Sequence, residues 1–155
     1  MDSAERRPVL ATSVPRRTEL DYRLEEQVGF LLRRATQRHV AIFAEHMGEE
    51  VTPTRWAVLA KLYEAGPSSQ NRLGRLTAMD AATIKGVVDR LIERRLIETQ
   101  PDLADARRRV IALSEAGRRL VERSLGQAHA ITRETLGPLT PPERAALLGF
   151  LRKLG

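Results

Sequence analysis

Cysteine is absent from this chain of 155 residues, and aromatic side chains are scarce: one Trp, two Tyr and three Phe. Without a thiol the chain can form neither a disulfide nor a thiolate metal site, and thiol oxidation cannot be its signal. So few rings argue against recognition by stacking on single-stranded bases, which recruits exposed Phe, Tyr or Trp. A reader of duplexes needs none. Uncharged apolar runs fall short of the ~20 residues that cross a hydrocarbon layer, so no membrane span is expected. Residues 1–18 (MDSAERRPVLATSVPRRT) hold no stretch suited to a signal peptide. A soluble protein of a reducing cytoplasm fits these absences.

Signs of catalysis are missing too. There is no glycine-rich phosphate loop, nucleophile elbow or metalloprotease helix. The neighbouring acids Glu25 with Glu26 and Glu49 with Glu50 diverge on a helix and cannot share a substrate. Of the three histidines, His39 and His46 fall on an apolar stripe, and together with His129 they lack metal-ligand spacing. The expectation is a non-enzyme without metal or cofactor, although His39 and His46 raise the prospect of pH-sensitive dimer packing.

What the chain does have is positive charge: 26 Lys and Arg against 20 Asp and Glu, net +6, with a pI near 10.6. Such a balance favours a polyanion as partner, nucleic acid or an anionic membrane surface, and composition does not choose between them. With 42% apolar and 30% charged residues, the chain can fill the core of one ordinary domain.

Residues 1–18 carry two Pro, two Arg pairs and no helical period, as a mobile arm would. From Leu24 the pattern changes. Leu24, Val28, Leu31, Ala35, His39, Ile42 and His46 recur at steps of three and four, one face of a long helix that something must cover. Thr52-Pro53 marks the next helix start, with Trp56, Leu59, Ala60 and Leu62 inward until Ala65-Gly66-Pro67 ends it. Ser69 can cap a short helix with Leu73 and Leu76 inward; Asp80 can cap another with Ile84, Val87, Val88, Leu91 and Ile92 inward. Two short capped helices joined by about three residues suggest a helix-turn-helix. Leu96–Gln100 and Arg109–Leu113 then read as two strands around a polar, arginine-bearing tip, the hairpin wing of a winged helix-turn-helix. Ser114 can cap a further helix, and Thr140-Pro141-Pro142-Glu143 is a capping box before Leu147, Leu148, Leu151 and Leu154.

The stretches VTPTRWAVLAKL, AATIKGVVDRLIERRLIE and DARRRVIALSEAGRRL, in this order and spacing, resemble the MarR family of bacterial regulators, over roughly residues 20–155. The resemblance implies a mainly α fold with a small β-hairpin wing, dimerised through its N- and C-terminal helices. On this reading residues 1–18 are the arm, 19–50 an N-terminal dimerisation helix, 51–113 the winged DNA-binding unit and 114–155 the C-terminal dimerisation helices. It implies a homodimer that binds double-stranded DNA and answers to a small molecule. A two-fold dimer favours a pseudo-palindromic operator with half-sites ~10 base pairs apart.

Because Ile84, Val87, Val88 and Leu91 face inward, Ala82, Thr83, Lys85 and Gly86 face away, in the half of the helix that enters a major groove. Small and polar residues also mark the wet side of any helix; the resemblance favours the groove. Arg107 at the wing tip suits a narrow minor groove, with Asp105 placed to hold it in pose. Three consecutive arginines, Arg107, Arg108 and Arg109, would crowd like charge unless a phosphate relieved them. Arg55, Ser69, Asn71 and Arg90 are phosphate or scaffold candidates, and Arg90 could equally pair with an acidic wing residue.

For the effector, Arg33, Arg34, Arg38 and His39 lie near Phe30 and Phe43 in sequence, and Trp56 opens the next helix. Together they could offer cations and apolar walls to an anionic aromatic compound. The stretch LEEQVGFLLRRATQRHVAIF is also similar to family members that govern the breakdown of aromatic acids or their coenzyme A thioesters. The plainer alternative leaves the rings in the core and the arginines on a solvated face. A helical dimer serving as a protein adaptor, without specific DNA binding, is the rival function.

Overall fold

The computed structural model describes residues 22–48 and 51–155, so the arm expected over residues 1–18 and the acids Glu49 and Glu50 lie outside the described residues. The chain divides into two compact units, residues 1–34 and 35–155. In the described part of the first, a 3-10 turn, Leu24–Glu26, precedes the opening turns of α1 (Val28–Met47). Gln27 Nε2 donates to the Arg23 carbonyl at 3.0 Å. The aliphatic side chains at the start of α1 are open to solvent, Val28 at 66% and Leu31 and Leu32 at nearly half.

The second unit holds α2 (Pro53–Ala65), α3 (Gln70–Leu76), α4 (Ala81–Glu93), β1 (Ile97–Pro101), β2 (Arg109–Leu113), α5 (Glu115–Thr135) and α6 (Pro141–Leu154), after the remainder of α1. Its helices start where local chemistry puts them. Thr52, Ser69, Asp80 and Ser114 each accept a backbone N–H from the first turn of α2, α3, α4 and α5, satisfying a donor that has no partner within the helix. At α6, Glu143 Oε2 accepts from both the backbone N–H and the hydroxyl of Thr140 at 2.7 Å. Gly66 ends α2 at φ 75°, a backbone shape that costs other residues strain, and its N–H returns to the Leu62 carbonyl.

The strands pair antiparallel, Ile97 opposite Leu113, Thr99 opposite Ile111 and Pro101 opposite Arg109. Ser68 adds a third edge through two hydrogen bonds with Ile111, of 3.0 and 2.9 Å. The main core joins Val58, Leu59 and Leu62 of α2 to Leu73, to the α4 stripe Ile84, Val87, Val88 and Leu91, and to Ile97, Ile111 and Val121. A second cluster places Ile42 and Phe43 of α1 against Ile131 of α5, with Trp56 packed on both clusters.

Two inward expectations fail. Leu76 is 41% exposed, because the inner side of short α3 is taken by Leu73 and by Gly74, where a Cβ would come within 3.1 Å of the Met79 carbonyl. Ile92 is 40% exposed; it lies about 80° around the helix from Ile84, at the margin of the buried stripe. In α6 no residue is buried, and Leu147, Leu148, Phe150, Leu151 and Leu154 face outward.

Asp80 and Glu143 titrate below their ordinary values, chiefly because each accepts a backbone hydrogen bond, from Thr83 and Thr140 respectively, that favours the carboxylate. A group whose folded-state pKa is depressed stabilises the fold above its unfolded value, and that contribution fades as pH falls through the folded one. The urea midpoint of the parent should therefore drop more between neutral and acidic pH than that of Asp80→Asn, which retains a cap without a titrating group. Equal drops would show that the cap charge contributes nothing.

Candidate nucleic-acid interface

One side of α4 is free of the core. Ala82, Thr83 and Lys85 are exposed and Gly86 is partly so, with nothing within 4 Å of where a Cβ would stand. The Asp80 cap fixes this end of the helix, since Asp80 Oδ1 accepts the Thr83 N–H at 2.7 Å. Lys85 is not a lone cation: its Nζ reaches Asp89 Oδ2 at 2.6 Å, one turn along the same face. The sequence reading passed over Asp89, whose spacing of four from Lys85 was a signal for this pair. The exposed helix face thus offers a hydroxyl, an ammonium and a carboxylate, all groups able to meet base edges.

The wing tip is folded by its own aspartates. Asp102 Oδ1 accepts the Ala104 N–H at 2.9 Å, and Asp105 Oδ1 accepts the Arg107 N–H at 3.0 Å. Backbone bonds from Asp102 to the Arg108 carbonyl and from Arg108 to the Asp105 carbonyl, both 2.9 Å, close the loop. The expectation that Asp105 poses the Arg107 head is corrected: Asp105 holds the Arg107 backbone, and its carboxylate meets Arg108 Nε at 3.5 Å. With Oδ1 taken by the Arg107 amide, the Asx-turn pattern, Oδ2 is left to Arg108. Crowding among the three arginines is relieved partly from within, Arg108 by Asp105 and Arg109 by donation to the Thr99 carbonyl at 2.9 Å. The Arg107 side chain is exposed at the tip.

The other expected contacts scatter around this face. Ser69 and Asn71 are exposed at the start of α3, and the Ser69 hydroxyl is engaged as the cap, accepting the Arg72 N–H at 3.3 Å. Arg55 is half-buried in the first turn of α2. Arg90 is exposed, and no acidic wing residue pairs with it among the described residues.

The candidate effector residues are divided between the two units. In the first unit, Phe30 is half-buried with the guanidinium carbons of Arg33 and Arg34 each 5.9 Å from its ring centre. In the second, Arg38 donates to the Glu134 carbonyl at 2.9 Å, and His39 Nδ1 shares a 3.0 Å hydrogen bond with Thr135 Oγ1. His46 Nε2 stands 2.8 Å from Glu134 Oε2. These three side chains tie α1 to the last turn of α5. Phe43 is buried with the edge of His39 against it, ring centres 6.1 Å apart. Phe43 lies in the second core cluster and half-buried Trp56 packs against it.

Among the described residues no helix is long and apolar enough to cross a membrane, and no group of three or more His, Asp or Glu comes together as a metal site.

A family model described as MarR family matches residues 50–108. The repressor NicR of Pseudomonas putida, a helix-turn-helix-type transcriptional repressor, is 41% identical over 134 residues, covering 86% of this chain and 85% of that protein. Among solved structures, a probable transcriptional regulator from Pseudomonas aeruginosa superposes with a TM-score of 0.82 at 52% identity, over 86% of this chain and all of that one. BpsR of Bordetella bronchiseptica, whose DNA binding is regulated by 6-hydroxynicotinic acid, superposes at 0.80 with 42% identity, over 86% of this chain and 96% of that one.

Proposed function

The chain belongs to the MarR family of transcriptional regulators, and on that premise we propose that it works as a cytoplasmic homodimer that represses transcription from a pseudo-palindromic operator until a small anionic aromatic compound releases it. The observation that carries this reading is the exposed face of α4, capped by Asp80 and set in one unit with the Arg107 wing tip. A helix face and a cationic hairpin are what adjacent major and minor grooves receive. Ala82, Thr83, Lys85 and Gly86 are then the base-facing set, Arg107 the minor-groove residue with Asp105 and Arg108 shaping the tip, and Arg55, Ser69, Asn71 and Arg90 the backbone contacts.

The dimer is supported by apolar surface that the single chain leaves in water. Phe150 is 60% exposed on α6, and Val28, Leu31 and Leu32 form an uncovered row on α1. A two-fold interface hides such surface on both copies at once. For the effector class, support comes from the Bordetella relative, regulated by an aromatic acid, and, within the first unit, from the guanidinium groups of Arg33 and Arg34 over the Phe30 ring. An effector acts only through unequal affinity for DNA-competent and DNA-incompetent arrangements of the two recognition helices.

An anisotropy titration with the duplex upstream of the protein's own gene tests the reading. Binding to that duplex should exceed binding to a scrambled one by about a thousandfold or more and weaken steeply with salt. Addition of 6-hydroxynicotinate or a hydroxybenzoate should lower the affinity about five- to 150-fold; release only by an aromatic acyl-coenzyme A thioester would move the effector to that class. Equal weak binding to every duplex would turn the reading toward the protein adaptor.

A further inference from the structure

Between α3 and the wing lies a cleft of about 370 Å³, floored by Ser68 and Val110 and edged by Ser69, Arg72, Asp102, Arg108 and Arg109. Three arginines and one aspartate therefore line a space large enough for a phosphate group, with Asp105 beside Arg108. Arg108 and Arg109 give only part of their five-donor heads to the protein, the first through Nε to Asp105 and the second through one terminal nitrogen to the Thr99 carbonyl. Arg72 is exposed, and its side chain has no hydrogen-bond or ion-pair partner among the described residues. The Asp102 carboxylate accepts the Ala104 N–H and keeps its charge, so with Asp105 beside Arg108 the three arginines keep a positive excess over two carboxylates.

We propose that this cleft is a phosphate site and that its occupant is a phosphodiester of the bound duplex, gripped by Arg72 from α3 and by Arg108 and Arg109 from the wing. The inference rests on the DNA-binding reading above. A duplex that places its major groove on α4 and the next minor groove on the wing must carry the intervening backbone across the surface between those elements. The cleft lies between the wing and α3, and α3 packs on α4. Planar, forked donors suit phosphate oxygens, and cations from two separate elements would fix the angle of the wing as well as add charge. Arg72 thereby becomes a DNA contact that neither the caps nor the helix-turn-helix pattern singled out.

The test is a salt titration of the full-length protein on its operator and on a scrambled duplex, with Arg72→Gln, Arg72→Lys and, as a charge-matched control, Arg123→Gln on exposed α5. The Arg72→Gln protein should lose about three- to tenfold in affinity for both duplexes alike, and its log–log salt slope should fall by about 0.9. Arg72→Lys should restore the slope, and Arg123→Gln should leave it unchanged. Parent-like affinity and slope in Arg72→Gln, while the parent binds its operator, would overturn the phosphate site and leave the DNA-binding reading standing. So would a loss confined to the operator, which would mean base reading, or an equal slope change in Arg123→Gln, which would mean net charge alone. In a parallel arm at matched ionic strength, inorganic phosphate is added to the DNA-free protein. Micromolar binding that Arg72→Gln abolishes, with the DNA slope intact, would assign the cleft to a free oxyanion and overturn the duplex as occupant. A parent that binds no duplex at all overturns both readings.

Discussion

Gly117→Ala lowers the free energy of unfolding by about 3 kcal/mol, whereas Gly126→Ala on the same helix raises it by up to about 1 kcal/mol. The two glycines differ in what surrounds them. A Cβ on Gly117 would stand 1.9 Å from the Leu96 carbonyl oxygen and 2.9 Å from its carbon, while one on Gly126 meets nothing within 4 Å. Leu96 cannot turn aside, because the obstructing atoms are backbone and its carbonyl already accepts the Ser114 N–H at 3.1 Å. Beside it the Ser114 hydroxyl donates to the Arg95 carbonyl at 2.7 Å and accepts the Gly117 N–H at 3.0 Å. Arg95 itself has a left-handed backbone, φ 57°, so the junction from α4 into β1 is a strained turn held by the first turn of α5. Pushing α5 away to admit a methyl group breaks these bonds together. Equilibrium urea unfolding of both variants checks the contrast, and equal midpoints would show that the junction yields more easily than its geometry implies.

Arg107→Ala lowers affinity for the operator by about 1–3 kcal/mol, most on duplexes with A·T-rich flanks, and leaves stability unchanged. The side chain is exposed and its backbone is fixed by Asp105, so truncation removes a cation without disturbing the loop. Narrow A·T-rich minor grooves concentrate negative potential, and a guanidinium at a hairpin tip is shaped to enter them. Parent and variant are compared by anisotropy at one salt concentration, with a thermal melt to confirm the fold. Identical affinities would remove Arg107 from the interface, and a uniform loss across sequences would make it a phosphate contact instead.

The sequence made the helix starts readable because capping is local chemistry. Thr52, Ser69, Asp80, Ser114 and Thr140 act within four residues of themselves, and no distant contact is needed to see them. The α4 stripe was legible for the same reason, up to the margin where Ile92 falls outside. What escaped depends on partners far along the chain. Nothing near Ser68 announces that it will bridge Ile111, and nothing within the run SEAG reveals that Gly117 must lie against Leu96. The Asp105 carboxylate was read with the wrong arginine because two candidates sat side by side, and only the turn geometry distinguishes them. The effector residues were the least legible: on a stretch that mixes arginines with apolar residues, position alone does not separate a ligand wall from a core. The engagement of Arg38 and His39 by the end of α5 appears only when both helices are in place.

The wing tip closes through Asp102 and Asp105 without help from any outside molecule. A loop already held in shape surrenders little conformational entropy when it meets a duplex, so the favourable electrostatics of its arginines are spent on attraction rather than on ordering. Right and wrong sequences should then be met at similar rates and told apart mainly by how long each is kept.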